Sequence, residues 1–401
     1  MMEDIFEKEM QKSTVFKERN VLSPHYIPET LPHREKEIEK IMKTLAPSLK
    51  GNNYHNLFIY GKTGTGKTAS TKYVIDKMLQ VKDKYNSNVD AIYINCRIIN
   101  TKYQVFLKFA EHCIPDESFL GFPLQHLLDR ILRHISRNGI NMVIVLDELD
   151  KIKNLDDLMY GLTRANDELK AGHIGLIGIT NNLFFKKELD PRSKSTLCEE
   201  EMVFAPYNAE QIKEILKQRA ERGYKKNAID NSAINYTAAL AAQESGDARY
   251  ALKLFLKAGE IADNSKSAKI TEEHIQKARK GVEEEIVFEI ISTLPEHQKI
   301  VLYSIASLTT EAGKYQRLDG TSDEKVLFSG EVYERYEKLC HQLGKDKRSA
   351  RWCREYLNEI EMLGLITTSI SGKGVRGNTT LIRLAFPAEK IKKAVEKSMD
   401  K

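Results

Sequence analysis

The 401-residue chain has no apolar run approaching the ~20 residues that a bilayer-spanning helix needs, so nothing in it predicts a membrane protein. Its start, from Met1 to Lys17, is a charged mixture without the apolar core of a secretory signal. No internal repeat or low-complexity tract is present, which argues against a solenoid or an extended disordered tail. The five cysteines, Cys96, Cys113, Cys198, Cys340 and Cys353, form no CxxC pair. Their odd number and wide spacing exclude a disulfide framework, and no histidines at metal-ligand spacing accompany Cys340 and Cys353. A formal net charge of +5 is too mild to name a nucleic-acid partner without local clustering. These absences leave a reduced, cytoplasmic globular chain as the expectation.

Apolar residues make up 41% of the sequence and charged residues 30%, and its length exceeds what one compact core holds, so two or three domains are expected. Short apolar runs at 57–60, 91–95, 142–146, 174–180 and 202–204 alternate with helical patterns, which predicts a parallel sheet covered on both faces. After Pro206 the strands stop, and helices are expected at 210–222, 230–244, 248–263 and 271–284, the last running on as a connector. Beyond residue 285 the pattern predicts helices at 286–292, 296–308, 329–343 and 346–363. Two alternating stretches at 365–371 and 379–385 follow, with a glycine-rich tip between them. Helices followed by such a hairpin describe a winged helix-turn-helix. The predicted domains are an ATPase base at 1–206, a helical lid at 207–285 and a winged helix at 286–401.

Gly61, Lys62, Thr63, Gly64, Thr65, Gly66, Lys67 and Thr68 match GxxxxGK[ST] between a predicted strand and a predicted helix. Glycines let backbone N–H groups close on phosphates, Lys67 reaches the β and γ phosphates of ATP, and Thr68 offers its hydroxyl to Mg²⁺. The apolar run 143–146 ends in Asp147 and Glu148, placed to face that loop from the neighbouring strand tip. There Asp147 would hold the metal and Glu148 would deprotonate the attacking water. Asn181, after the strand that ends at Thr180, is placed to position that water. Arg249, in Gly246-Asp247-Ala248-Arg249, opens a lid helix from which it can reach the triphosphate.

Taken in order, these residues resemble the archaeal replication initiators of the AAA+ superfamily, which combine features of the origin recognition complex and the cell-division-cycle helicase loader. The resemblance spans nearly the whole chain. It includes Tyr26-Ile27-Pro28-Glu29 and Leu31-Pro32-His33-Arg34-Glu35, similar to the segment that lies against adenine in that family. It also includes Leu189-Asp190-Pro191-Arg192 and Phe204-Ala205-Pro206-Tyr207. It implies that Tyr26, Ile27, Pro28, Arg34, Thr180, Tyr207 and Arg219 join the loop in contacting ATP or ADP, that Asn181 is the first sensor, and that Arg249 is the sensor arginine. Clamp loaders carry Ser-Arg-Cys where this chain has Ser195-Thr196-Leu197, which leaves Arg192 as the candidate arginine finger. An extra helical segment falls within 101–123, and its Gly121-Phe122-Pro123 turn is a candidate DNA contact.

The resemblance also implies a slow Mg²⁺-dependent ATPase used as a switch. Its partners would be double-stranded origin DNA, the replicative MCM helicase and further copies or paralogues on DNA, in a nucleoid-associated setting. Within 345–354, Lys345, Lys347, Arg348, Arg351 and Arg354 face a single acid, Asp346. On the predicted helix, Ala350, Cys353, Leu357, Ile360 and Gly364 share the packing face, and Arg348, Arg351 and Glu355 share the face offered to a major groove. Lys373 and Arg376 at the hairpin tip suit phosphate or minor-groove contact. The same residues leave open a P-loop ATPase that gates a winged helix at promoters, in transcription or signalling.

Overall fold

The computed structural model describes residues 14–182, 185, 190, 200–311, 326–370 and 380–399. The chain divides into two compact units, Met1–Ala278 and Arg279–Lys401. In chain order the first unit contains α1 (Glu35–Leu45), β1 (Leu57–Tyr60), α2 (Lys67–Tyr85), β2 (Val89–Asn95), α3 (Lys102–Cys113), α4 (Leu124–Asn138), β3 (Asn141–Asp147), α5 (Leu155–Glu168), β4 (His173–Thr180) and β5 (Glu200–Val203). The strands form a parallel sheet in the order β2-β3-β4-β1-β5.

Successive strand residues point to opposite faces, so a strand covered on both sides must be apolar throughout. This is why β1 and β3 are buried along their whole length. Phe58 and Tyr60 pack with Ile92, Phe106, Ile131 and Ile144 on one face. Leu57 and Ile59 pack with Val74, Val143 and Ile177 on the other. Because β4 lies between β1 and β3, the acidic strand is not the neighbour of the loop-bearing strand, and this corrects the sequence expectation. The tips of three adjacent strands, β3, β4 and β1, supply the site.

The helical part of this unit comprises α6 (Ala209–Gly223), α7 (Asn231–Glu244) and α8 (Ala248–Asn264). Asn208 and Gln211 form a reciprocal capping box at the start of α6. The Asp247 carboxylate accepts the N–H groups of Arg249 and Tyr250 at the start of α8, at 2.7 and 3.2 Å. Both satisfy donors that a helix start otherwise leaves open. The segment before α1 is tied to these helices: Val15 N–H donates to Asp263 at 2.7 Å, and the Phe16 ring stacks on Tyr224 at 5.4 Å. Helix α9 (Glu272–Thr293) contains the division between the units. It merges the two helices expected at 271–284 and 286–292, because the glutamates at 283–285 favour continued helix and Val282, Val287 and Ile291 are all buried.

The second unit adds α10 (Glu296–Glu311), β6 (Leu327–Phe328), α11 (Ser329–Gln342), α12 (Ala350–Met362), β7 (Ile366–Ile370), β8 (Thr380–Leu384) and α13 (Ala388–Met399). β8 pairs antiparallel with both β6 and β7. Its core gathers Ile300, Ile305, Val332, Leu357, Ile360, Ile382, Ile391 and Val395. α13 and β6 were not foreseen. α12 begins at Ala350, so Lys347 and Arg348 precede the helix. Ala350 and Gly364 are exposed, whereas Cys353, Leu357 and Ile360 hold the packing face. Among the described residues, no helix is long and apolar enough to cross a membrane.

Candidate nucleotide site and DNA-facing helix

The loop between β1 and α2 delivers Lys67 into a buried position above the strand tips. Its ammonium donates to the carbonyls of Gly61 and Lys62, at 2.6 and 2.7 Å, and to Asn181 Oδ1 at 2.8 Å. Burial pulls the Lys67 pKa down to about 8; the Asp147 charge opposes this and the Arg249 charge adds to it. Thr68 Oγ1 donates to Asp147 Oδ2 at 2.7 Å, so α2 reaches across β4 to the acidic strand. The proposed metal ligands are therefore already together.

Asp147 has two further partners. Tyr93, from β2, donates its hydroxyl to Oδ2 at 2.6 Å, and the Glu148 N–H donates to Oδ1 at 2.9 Å. Glu148 itself adopts φ 55° and ψ 47°. That left-handed conformation costs a non-glycine residue about 1–2 kcal/mol and is concentrated where a side chain must be aimed. Thr180 Oγ1 donates to Asp150 Oδ1 at 2.9 Å, which ties the tip of β4 to the turn after Glu148. Burial acts to raise Asp150, but the Thr180 hydroxyl and Lys151 outweigh it and hold the carboxyl below its ordinary range. Tyr93 and Asp150 were missed. Register alone could have suggested Tyr93, which sits two residues before the end of β2, where Asn95 pairs with Asp147.

Beside the loop lies a cavity of about 200 Å³. Tyr26, Ile27, Pro28, Leu31 and Pro32 line one side, Gly64, Gly66, Thr68 and Lys72 another, and Ile215, Gln218, Arg219, Arg249 and Leu252 the lid side. The lid touches the loop directly: Ala248 N–H donates to the Gly64 carbonyl at 3.2 Å. Gly64 has φ +70°, and a Cβ there would collide with the Asp247 carboxylate, so both conformation and space require glycine.

Arg219 is buried, donating to the carbonyls of Val21 and Tyr26, both at 3.0 Å, with its guanidinium 4.9 Å from the Tyr26 ring centre. Burial lowers its pKa to about 10. Arg219 Nε and Gln218 Oε1 are buried without a hydrogen-bond partner. The cavity's mixture of apolar walls with Gln218, Arg219 and Arg249 fits a planar, polar-edged base.

Arg34 is placed differently from the expectation that it faces adenine. It is 3% exposed and does not line the cavity. Its Nε donates to Thr65 O at 2.8 Å, one terminal nitrogen donates to Ala205 O at 2.7 Å, and its guanidinium lies 3.8 Å from the Tyr207 ring centre. It clamps the loop from behind. Tyr207 lines the cavity, and its N–H donates to Gly246 O at 3.2 Å. Arg192 lies outside the described residues.

In the second unit, Arg351, Trp352, Arg354 and Glu355 are exposed along α12, and Lys347 and Arg348 are exposed just before it. Lys347 is ion-paired with Glu337. Trp352, 52% exposed, was not singled out from sequence. Lys373 and Arg376 lie outside the described residues. In the first unit, the turn between α3 and α4 leaves Leu120 81% exposed, and Phe122 stacks on His126 at 4.7 Å.

Family models match the chain in three places: an AAA domain at residues 52–184, the Cdc6 AAA+ ATPase-type lid domain at 213–280, and the CDC6 C-terminal winged helix domain at 289–394. The ORC1-type DNA replication protein of Pyrococcus horikoshii is 41% identical over 397 residues, covering 98% of this chain and 92% of that one. This chain belongs to the ORC1-type DNA replication protein family. The ORC1-type DNA replication protein 1 of Archaeoglobus fulgidus is 38% identical over 394 residues, with coverage of 98% and 93%. The Aeropyrum pernix ORC1 protein, solved in complex with DNA, superposes with a TM-score of 0.83 at 36% identity, covering 96% of this chain and 98% of that one. An ORC1-type chain is an AAA+ ATPase of DNA replication initiation with a winged helix, which is the fold read from the sequence.

Proposed function

We propose that this chain is an ATP-dependent replication initiator that binds origin DNA and helps load the replicative MCM helicase, with ATP and ADP as the two settings of a switch. The observation that carries this reading is a single cavity lined together by the 24–32 segment, the phosphate loop and the lid. Whatever fills it bears on the lid and base at once.

In this reading the base is 1–206, the lid 207–285 and the winged helix 286–401. ATP supplies the hydrolysable triphosphate, and Mg²⁺ supplies charge neutralisation and a polarised phosphoryl group. Lys67 exchanges its carbonyl contacts for phosphate oxygens, and Thr68 and Asp147 hold the metal. Glu148 accepts the proton of the attacking water, which Asn181 orients. Arg249 senses the triphosphate from the lid, and Arg192 serves a neighbouring copy or paralogue. Gln218, Arg219 and Tyr26 surround the base.

For DNA, Arg348 and Arg351 read base edges in the major groove, while Lys347, Arg354, Lys373 and Arg376 contact phosphates. The Aeropyrum ORC1 complex with DNA supports DNA binding as the role of this unit, in a nucleoid-associated setting. Filter binding tests the nucleotide half: Lys67→Ala loses ATP, while Glu148→Gln retains it and traps it unhydrolysed. Rapid multiple turnover stimulated by DNA would rule out a switch. Selection from a randomised duplex pool tests the DNA half, and a pool without enrichment would remove sequence-specific origin binding.

A further inference from the structure

The segment between α11 and α12 is exposed from Lys345 to Ser349, and an exposed backbone ordinarily satisfies its amides with water. Arg348 is an exception at both of its peptide groups. Its N–H donates to Tyr336 Oη at 3.1 Å, and its carbonyl accepts from Tyr333 Oη at 3.1 Å. Both tyrosines stand on α11, one helical turn apart on the same face.

The Tyr336 hydroxyl is anchored in turn. The Tyr336 ring is fully buried, and burial raises its pKa, so the phenol stays neutral. Its oxygen is also 2.8 Å from His297 Nδ1 on α10. The His297 ring stacks on Tyr356 of α12 at 6.4 Å. One polar chain therefore links α10, α11 and the entry to α12, and it ends on the backbone of Arg348. The Arg348 side chain is exposed, and among the described residues it has no ion-pair partner, whereas adjacent Lys347 is tied to Glu337.

We propose that Tyr333 and Tyr336 are positioning residues for sequence discrimination, holding the Arg348 backbone so that its guanidinium meets the base edge already aimed. This rests on the reading of Arg348 as a DNA contact. A side chain that reads bases bidentately gains discrimination only when its approach is fixed, because freedom at the backbone lets it follow the phosphates of any sequence. The pair thus converts a basic loop into a selective one.

The test uses the full chain and two duplexes: the one most enriched by the wild-type protein from a random pool, and a scramble of equal composition. Tyr333→Phe with Tyr336→Phe removes only two hydroxyls and keeps both rings. The expected result is a roughly tenfold fall in discrimination between the duplexes with scrambled-duplex affinity unchanged. Arg348→Ala loses discrimination to a similar degree, and the triple variant loses no more than Arg348→Ala alone. Undiminished discrimination in the tyrosine variant, or losses that add in the triple variant, would overturn the proposal. If Arg348→Ala itself discriminates as wild type does, the DNA reading of Arg348 falls and takes the proposal with it. Should the double variant unfold, Tyr333→Phe alone, which leaves the buried Tyr336–His297 contact intact, is held to the same criteria.

Discussion

Replacing Arg34 with lysine keeps the charge and removes the fork. Besides the adjacent His33 carbonyl at 3.0 Å, the wild-type guanidinium spans two carbonyls distant in sequence, Thr65 O at 2.8 Å and Ala205 O at 2.7 Å, and lies 3.8 Å from the centre of the Tyr207 ring. A single ammonium reaches one of these carbonyls and leaves the other buried without a donor, which costs about 1–3 kcal/mol. Loss of the stacked, desolvated cation adds about 1 kcal/mol. The expected penalty is about 2–4 kcal/mol against the native shape of the phosphate loop. If half of it must be supplied by the ligand on binding, nucleotide affinity falls roughly five- to thirty-fold.

Isothermal titration of Arg34→Lys with ATP and with inorganic tripolyphosphate checks this. Because Arg34 shapes the loop from behind and does not line the cavity, both ligands are expected to weaken by the same factor. Loss of ATP binding with tripolyphosphate binding intact would mean that Arg34 acts on the base, as the sequence suggested, and the clamp argument would be wrong.

The depressed Lys67 pKa gives a pH dependence with a definite sign. Only the ammonium attracts phosphate, so ATP affinity should weaken as pH rises from about 7 to about 9, while Lys67→Arg flattens that profile; equal wild-type affinity at both ends refutes it. The unfolded chain binds more protons than the folded one between about 8 and the ordinary value of 10.5, so this residue's contribution to nucleotide-free stability rises with pH across that window, readable by urea unfolding. Gly64→Ala forces a side chain into a φ of +70° and into the Asp247 carboxylate, and should weaken ATP more than tenfold by calorimetry. Tyr93→Phe frees one hydrogen bond on Asp147, and is expected to raise the Mg²⁺ concentration for half-maximal hydrolysis roughly tenfold without changing Mg²⁺-free nucleotide binding.

Much of this architecture was legible because its signals are local. A strand covered on both faces must be apolar throughout, and a phosphate-binding turn must carry glycines, so β1, its loop and β3 could be read from neighbouring letters. Contacts made by single side chains across strands could not. Nothing around Arg34 marks it as a buried clamp, since its partners are the carbonyls of Thr65 and Ala205, distant in sequence. The interposition of β4 was equally hidden, because strand order is decided by helix packing and crossover handedness. α13 was overlooked because Ile391 and Val395 are only two buried positions amid lysines, a weak stripe that acquires meaning against the α10 face. Arg348 read as helical because the basic cluster is continuous, whereas the tyrosine hydroxyls that take its peptide groups hold it outside the helix.

The cavity's composition also argues for how nucleotide acts. Its walls belong to three pieces: the lid meets the loop through Ala248 and Gly64, and the 24–32 segment meets the lid through Arg219 to Tyr26, Gln218 to Thr30 and Arg222 to Glu29. A ligand that fills the space contributes RT ln(1 + [L]/Kd) to whichever arrangement it fits, about 2.7 kcal/mol at a hundredfold excess over Kd. That exceeds the net worth, about 1 kcal/mol, of the Ala248–Gly64 hydrogen bond by which the lid touches the phosphate loop. In the proposed reading, an ATP-to-ADP change removes only what the γ phosphate would offer Lys67, Asn181 and Arg249. Two of those residues lie on the base and one on the lid, so on this proposal hydrolysis would weaken their coupling while the base-binding wall stays filled. Nucleotide exchange and hydrolysis are therefore, on the same proposal, separable inputs. Arg249→Ala should bind ADP as wild type does while losing the difference between ATP and ADP in protease protection of the lid. Equal protection by both nucleotides in the wild-type chain would show that the lid does not read the γ phosphate.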